Sequence, residues 1–229
     1  MTHKEIELIL SKMREKVFPR SKMEDVTALQ RLTSNREPPF KILISTILSQ
    51  RTRDQMTERA TAQLFANYKT PKAIAEAPLA ELEKLVKPAN FYKTKALRVK
   101  EVSQMLVRDF KRLVPETFEE LMSLPGVGRK TAACVMIYGF GNANCIPVDV
   151  HVWRISNRLG LVKSDDPVET EQLLLKRVPK EYWLEVNNLF VKYGQTICTP
   201  RNPKCGECPL QKECNYYKTI VKPGLKLDA

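Results

Sequence analysis

The sequence predicts an all-α protein, and three observations carry that prediction. Apolar residues recur at helical spacing along most of the chain. Gly is scarce, with 8 in 229 residues, while Ala, Leu, Glu and Lys are plentiful. No run alternates apolar and polar residues as a half-buried strand would. The segment 1–30 reads as an amphipathic helix broken near Pro19, and Pro38-Pro39 ends a polar connection. Phe40, Leu43, Ile44, Ile47 and Leu48 then fall on one face of a helix, although the Ile content leaves a strand as the alternative. Helical patterns follow over 55–67, 72–76, 79–86 and 93–113. The segment 117–124 opens with Thr117-Phe118-Glu119-Glu120, which reads as a capping box. Beyond Gly141 prolines accumulate, both Trp appear and four of the six Cys lie near the end, so a domain boundary is expected there.

The formal charge of +12 points to a polyanionic partner, of which nucleic acid is the usual one, with plain solubility as the alternative. The start, MTHKEIELIL, has only a short apolar stretch with acids inside it and does not read as a signal peptide. No stretch approaches the ~18 apolar residues of a membrane span. A soluble intracellular protein is expected, in the cytoplasm or nucleoid, or in the nucleus of a eukaryote. Thiols are kept reduced there, so six Cys point to metal binding or unpaired thiols rather than disulfides.

The most informative segment is Leu124-Pro125-Gly126-Val127-Gly128-Arg129-Lys130-Thr131, between a capped helix and the apolar run Ala132 to Tyr138. It reads as helix, tight hairpin, buried helix. Gly126 and Gly128 are expected to take backbone angles closed to side chains and to admit a ligand close to the main chain. The N–H groups opening the second helix, with its dipole, then form an anion site suited to a DNA phosphate, an ordinary glycine turn being the alternative. Lys130 sits in the first turn of that apolar helix, where dipole repulsion and burial both lower a lysine's pKa. A neutral amine is a nucleophile able to form a Schiff base; the alternative role is a solvated phosphate contact. Asp149, further along the chain among apolar neighbours, is a candidate proton acceptor or stabiliser of a cationic sugar, and equally a helix N-cap. His151 reads as a hydrogen-bonded structural residue.

The last motif is Cys198-x6-Cys205-x2-Cys208-x5-Cys214. Four thiolates so close in sequence can bind one metal centre, and the spacing lacks the paired C-x2-C units of common zinc ribbons. Arg201 and Lys204 stand in the first loop, placed for phosphate contact. Cys134 and Cys145 read as buried thiols without a metal.

With these motifs in this order, residues 26 to 214 closely resemble the endonuclease III family of helix-hairpin-helix DNA glycosylases. The resemblance rests on Leu124–Lys130, on Val148-Asp149-Val150-His151, on the cysteine spacing and on Ile47-Leu48-Ser49-Gln50. It implies two helical domains with double-stranded DNA in the cleft between them. One is a six-helix barrel with the helix-hairpin-helix, over 31–141; the other joins 1–30 to 142–229 and carries a four-iron four-sulfur cluster. The family's lyase lysine falls on Lys130, its aspartate on Asp149 and its cluster ligands on Cys198, Cys205, Cys208 and Cys214. Its DNA-contacting hairpin falls on Gly126, Val127, Gly128 and Arg129. Its gap-filling glutamine falls on Gln50 and its wedge on or near Phe91, aromatic here where the family has a smaller aliphatic residue. The loop before Asp149 is about one residue longer than the family's.

The resemblance further implies a bifunctional glycosylase and abasic-site lyase of base excision repair, acting as a monomer on oxidised pyrimidines and abasic sites. A damaged nucleotide flips out, Lys130 expels the base, and β-elimination cuts 3′ to the site. The rival readings are a monofunctional mismatch glycosylase on the same fold and a non-catalytic iron–sulfur DNA-binding module. Lys130 and Asp149 together speak for the bifunctional enzyme.

Overall fold

The computed structural model describes residues 2–18, 37–142 and 144–224; Pro19 and the connection before Glu37 lie outside them. Among the described residues every regular element is helical. The chain divides into two compact units, Thr27–Asn142 and Met1–Val26 with Ala143–Ala229.

The first unit holds α2 (Pro39–Ser49), α3 (Asp54–Asn67), α4 (Pro71–Glu76), α5 (Leu79–Leu85), α6 (Tyr92–Asp109), α7 (Phe118–Ser123) and α8 (Arg129–Phe140). The segment 40–48 is helical, and more of it is buried than one face: Ile42, Ser45 and Thr46 are buried with the predicted stripe. The reason is that α3, α6 and α8 all pack against α2. Its two buried hydroxyls are satisfied within the helix, Ser45 donating to Lys41 O at 2.6 Å and Thr46 to Ile42 O at 2.7 Å. Helix α8 is likewise buried from Thr131 through Tyr138.

The structure corrects two local expectations. Helix α6 stops at Asp109, short of the predicted 113, because Lys111 and Arg112 both turn left-handed (φ 50° and 68°). At Thr117 only half of the capping box forms. The hydroxyl accepts from Glu120 N at 3.3 Å, but the Glu120 carboxylate bonds that hydroxyl at 2.8 Å rather than the backbone. A full box closes instead at Thr2 and Glu5, at the head of α1 (His3–Val17).

The second unit is built from α1, α9 (Val150–Leu159), α10 (Pro167–Arg177), α11 (Trp183–Thr196) and the loops that follow. Ile6, Ile9, Leu10 and Met13 of α1 join Ile155 of α9 and Leu189, Phe190 and Tyr193 of α11 in one core. Lys12 pairs with Glu213 at 2.7 Å, fastening α1 to the C-terminal loops.

Truncating Ile44, which is wholly buried, to Ala is expected to cost about 2–5 kcal/mol of stability. The same change at Leu113, 69% exposed, should stay within about 0.5 kcal/mol. Urea midpoints of the two variants check the contrast.

Candidate functional site

In the Thr27–Asn142 unit the hairpin is anchored from inside. Leu124 and Val127 are buried, and Val127 N donates to Leu124 O at 3.1 Å. Only one of its two glycines is conformationally required. Gly126 is left-handed at φ 75°, and a Cβ there would lie 2.7 Å from Arg98 Cδ. Gly128, the N-cap of α8, is extended at φ −93°, with open space where a Cβ would be. It offers no side-chain cap to the first turn of α8. The Arg129 guanidinium stacks over the Phe118 ring at 5.2 Å. Lys130 follows, half-buried, with the buried turns of α8 behind it.

Beside the hairpin lie two loops. The Gln50 side chain donates to Gly126 O at 2.9 Å and to Thr131 Oγ1 at 3.2 Å, so it is turned onto the hairpin. Arg51 and Phe91 are exposed, and both are left-handed (φ 53° and 57°). Asn90 Nδ2 donates to Arg51 O at 2.7 Å, cross-linking the loops. Beneath them Lys95 is buried. Its Nζ donates to Leu48 O at 2.7 Å, Gln50 O at 2.5 Å and Thr52 Oγ1 at 2.6 Å, using all three protons at the end of α2. Burial first, then the Arg98 charge, pulls its pKa down from 10.5 to about 8.

In the other unit Asp149 caps α9. Its Oδ1 accepts from His151 N at 2.8 Å and Val152 N at 3.0 Å, while Oδ2 accepts no hydrogen bond among the described residues. One helical face of α9 then carries His151, Arg154 and Arg158. Arg154 Nη2 meets His151 Nδ1 at 3.1 Å and donates to Cys198 O at 2.9 Å and Gly194 O at 3.3 Å. Burial lowers its pKa. Arg158 donates to Cys198 Sγ at 3.3 Å, Thr199 O at 2.8 Å and Pro200 O at 3.0 Å, and lies over the Tyr216 ring at 4.5 Å.

Cys198, Cys205, Cys208 and Cys214 line one cavity, floored by Ile155, Tyr193 and Leu210. Among the described residues no three His, Cys, Asp or Glu converge on a single ion's position. Sulfurs ringing a cavity are the arrangement a polynuclear cluster needs, with cysteine thiolates held by separate irons. The polar groups aimed at the sulfurs fit that centre: Arg158 on Cys198, the Tyr193 hydroxyl 3.0 Å from Cys208 Sγ, and Tyr217 N 3.5 Å from Cys214 Sγ. Burial chiefly, then the neighbouring thiols, push the Cys205 and Cys214 pKa values up, a cost that bound iron offsets by neutralising the thiolates. Arg201 and Lys204 are exposed on the first loop, which Lys204 N closes onto Ile197 O at 3.0 Å. Cys134 and Cys145 are buried and do not line this cavity.

Lys130 and the hairpin thus belong to one unit, and Asp149 and the four Cys to the other. Sequence reasoning missed Arg51, Lys95, Arg154 and Arg158. The four-residue spacing of Arg154 and Arg158 behind Asp149 was a visible signal. Lys95 gave none, because a lysine in an amphipathic helix reads as solvated.

Residues 44–180 match the HhH-GPD superfamily of base excision DNA repair proteins. Residues 198–214 match the iron–sulfur binding domain of endonuclease III, so this segment binds an iron–sulfur cluster. Endonuclease III of Thermotoga maritima is 48% identical over 180 residues, 79% of this chain and 84% of that one. Endonuclease III of Bacillus subtilis is 37% identical over 223 residues, 97% of each chain. Among solved structures, a trapped covalent endonuclease III–DNA intermediate with an estranged adenine superposes with a TM-score of 0.81 at 33% identity, covering 96% of this chain and 99% of that one.

Two outcomes are expected. Cys198→Ala should lower iron and sulfide per polypeptide, whereas Cys134→Ala should leave both unchanged, as read by metal analysis and visible absorbance. Folding depresses the Lys95 pKa, so between about pH 8 and 10.5 the unfolded chain holds the proton more tightly. The contribution of Lys95 to stability therefore rises with pH across that window. Urea titrations should show a shallower rise for Lys95→Met than for the unaltered chain.

Proposed function

The chain belongs to the HhH-GPD superfamily of base excision DNA repair proteins, in its endonuclease III family, and from that premise we propose how its residues act as a DNA glycosylase and abasic-site lyase. The observation that carries the reading is Lys130, half-buried in the first turn of α8, directly behind a glycine hairpin whose N-cap, Gly128, brings no capping side chain and suits a phosphate. Gly126 to Arg129 grip the backbone of a damaged duplex, and Arg201 and Lys204 add phosphate contacts. The damaged nucleotide leaves the stack, most easily where pairing is already weak.

The uncharged Lys130 amine attacks C1′ of the extruded sugar. The new N–C1′ bond forms as the bond to the base breaks, and that electron pair leaves with the base. Asp149 takes the proton shed by the amine through the oxygen its helix does not use, and its charge stabilises the cationic sugar. The C1′–O4′ bond then breaks as the nitrogen lone pair closes the C1′=N Schiff base, O4′ leaving as the C4′ hydroxyl with the proton returned to it. In that Schiff base the C2′ proton is acidic. Its removal gives the C1′=C2′ enamine, whose electrons then form the C2′=C3′ double bond as the C3′–O bond breaks and its pair leaves with the phosphate, which is β-elimination.

Cys198, Cys205, Cys208 and Cys214 hold a four-iron four-sulfur cluster that, when bound, fixes the Arg201–Lys204 loop. The units Thr27–Asn142 and Met1–Val26 with Ala143–Ala229 serve respectively as the helix-hairpin-helix barrel and the cluster domain. Oxidised or ring-saturated pyrimidines and abasic sites are the substrates, and the protein acts as a monomer.

Borohydride trapping on duplex DNA with one abasic site tests the chemistry. The unaltered protein should yield a covalent adduct that Lys130→Ala abolishes, and Asp149→Asn should slow it by about a hundredfold or more. Base release without an adduct would replace this reading with a monofunctional glycosylase.

A further inference from the structure

A tyrosine hydroxyl buried in a protein core needs a hydrogen-bond partner, and that of Tyr193 finds a sulfur. Tyr193 lies on α11 and is wholly buried, in the core that joins α1, α9 and α11. Its hydroxyl stands 3.0 Å from Cys208 Sγ and has no other hydrogen-bond partner among the described residues. The apolar side chains of Ile155, Leu159 and Leu210 line the same cavity and offer no competing acceptor. The main chain of Tyr193 is tied down as well: its carbonyl accepts from Ile197 N and from Cys198 N, both at 2.9 Å. Tyr193 therefore meets two of the four cysteines around the cavity, Cys198 through its backbone and Cys208 through its side chain.

Between a phenol and a thiol either atom can donate. Between a phenol and an iron-bound thiolate only the phenol can, because that sulfur carries no proton. Iron binding thus fixes the direction of this bond, from the Tyr193 hydroxyl to Cys208 Sγ. Two other donors reach the sulfurs. Arg158 Nη1 lies 3.3 Å from Cys198 Sγ but also serves Thr199 O, and Tyr217 N lies 3.5 Å from Cys214 Sγ. The Tyr193 contact is the shortest of the three, and its burial keeps water from weakening it. Reduction of a cluster adds negative charge that spreads onto its sulfurs. A donor aimed at one of them stabilises the reduced form more than the oxidised.

We propose that the Tyr193 hydroxyl, through its hydrogen bond to Cys208, raises the reduction potential of the iron–sulfur cluster and so makes it harder to oxidise. The inference rests on the reading of Cys208 as a cluster ligand and is independent of the lyase chemistry. The phenol proton stays on its oxygen throughout, so the bond biases a one-electron equilibrium without a proton transfer.

The test poises the whole iron-loaded protein at an electrode and follows its visible absorbance. Tyr193→Phe keeps the ring and removes the hydroxyl. At a fixed potential it should raise the oxidised-to-reduced ratio on the order of three- to tenfold, tenfold being about 59 mV for one electron. Tyr193→3-fluorotyrosine, nearly the same size with a more acidic phenol, should lower that ratio, because a stronger donor favours the reduced form. A purely structural tyrosine would instead lower the urea midpoint in Tyr193→Phe and leave the potential where it was. An unmoved ratio in either protein, or a shift of both in the same direction, would overturn the proposal. Where Tyr193→Phe fails to retain iron, the fluorinated protein decides by its sign alone. Cys208→Ala separates the two levels, and its iron and sulfide per polypeptide should fall. A full complement there sinks the ligand reading; a loss there with an unmoved potential in Tyr193→Phe sinks only the role of Tyr193.

Discussion

The burial of α2 against α8 is the constraint on which the rest of the Thr27–Asn142 unit depends. The pair runs antiparallel: Gly139 near the end of α8 lies beside Pro39 at the start of α2, and Gln50 after α2 bonds Gly126 just before α8. Both helices are apolar through most of their length and buried on several sides, so neither can slide or turn without exposing core. Packing therefore delivers the end of one helix and the start of the other to a single place. The polar residues at those ends inherit positions set by apolar burial: the hairpin and Lys130 from α8, Gln50 and Arg51 from α2.

A buried charge completes that end. The Lys95 ammonium satisfies carbonyls that α2 leaves without helical partners and fixes the turn that follows. Desolvating an ammonium is costly, and three acceptors offset it. An apolar residue would pack there with a smaller desolvation penalty but would leave Leu48 O without its lysine donor and the loop unrestrained. The left-handed turn at Arg51 persists only because this frame holds it.

The other unit uses a single helix in the same way. Asp149 caps α9, and Arg154 and Arg158, one and two turns along, bind the backbone that carries Cys198. The proposed catalytic carboxylate and the cysteine loop thus share a rigid element. Their shared dependence on α9 explains why part-buried arginines, costly to desolvate, are found there: their donors meet carbonyls, a ring nitrogen and a sulfur.

The sequence by itself determined the helical class, the hairpin and the four Cys as a set, because those signals are local. Helical periodicity, a glycine turn and a cysteine spacing depend on neighbours close along the chain. Tertiary structure decided what depends on distant partners. It showed α2 buried on more faces than its stripe implied, because α3, α6 and α8 all reach it. It showed that Gly126 alone of the two hairpin glycines is conformationally required, since its backbone is left-handed at φ 75° while that of Gly128 is extended. It also turned Gln50 inward and Arg51 outward, a choice made by hydrogen bonds to Gly126, Thr131 and Asn90 that no local pattern encodes.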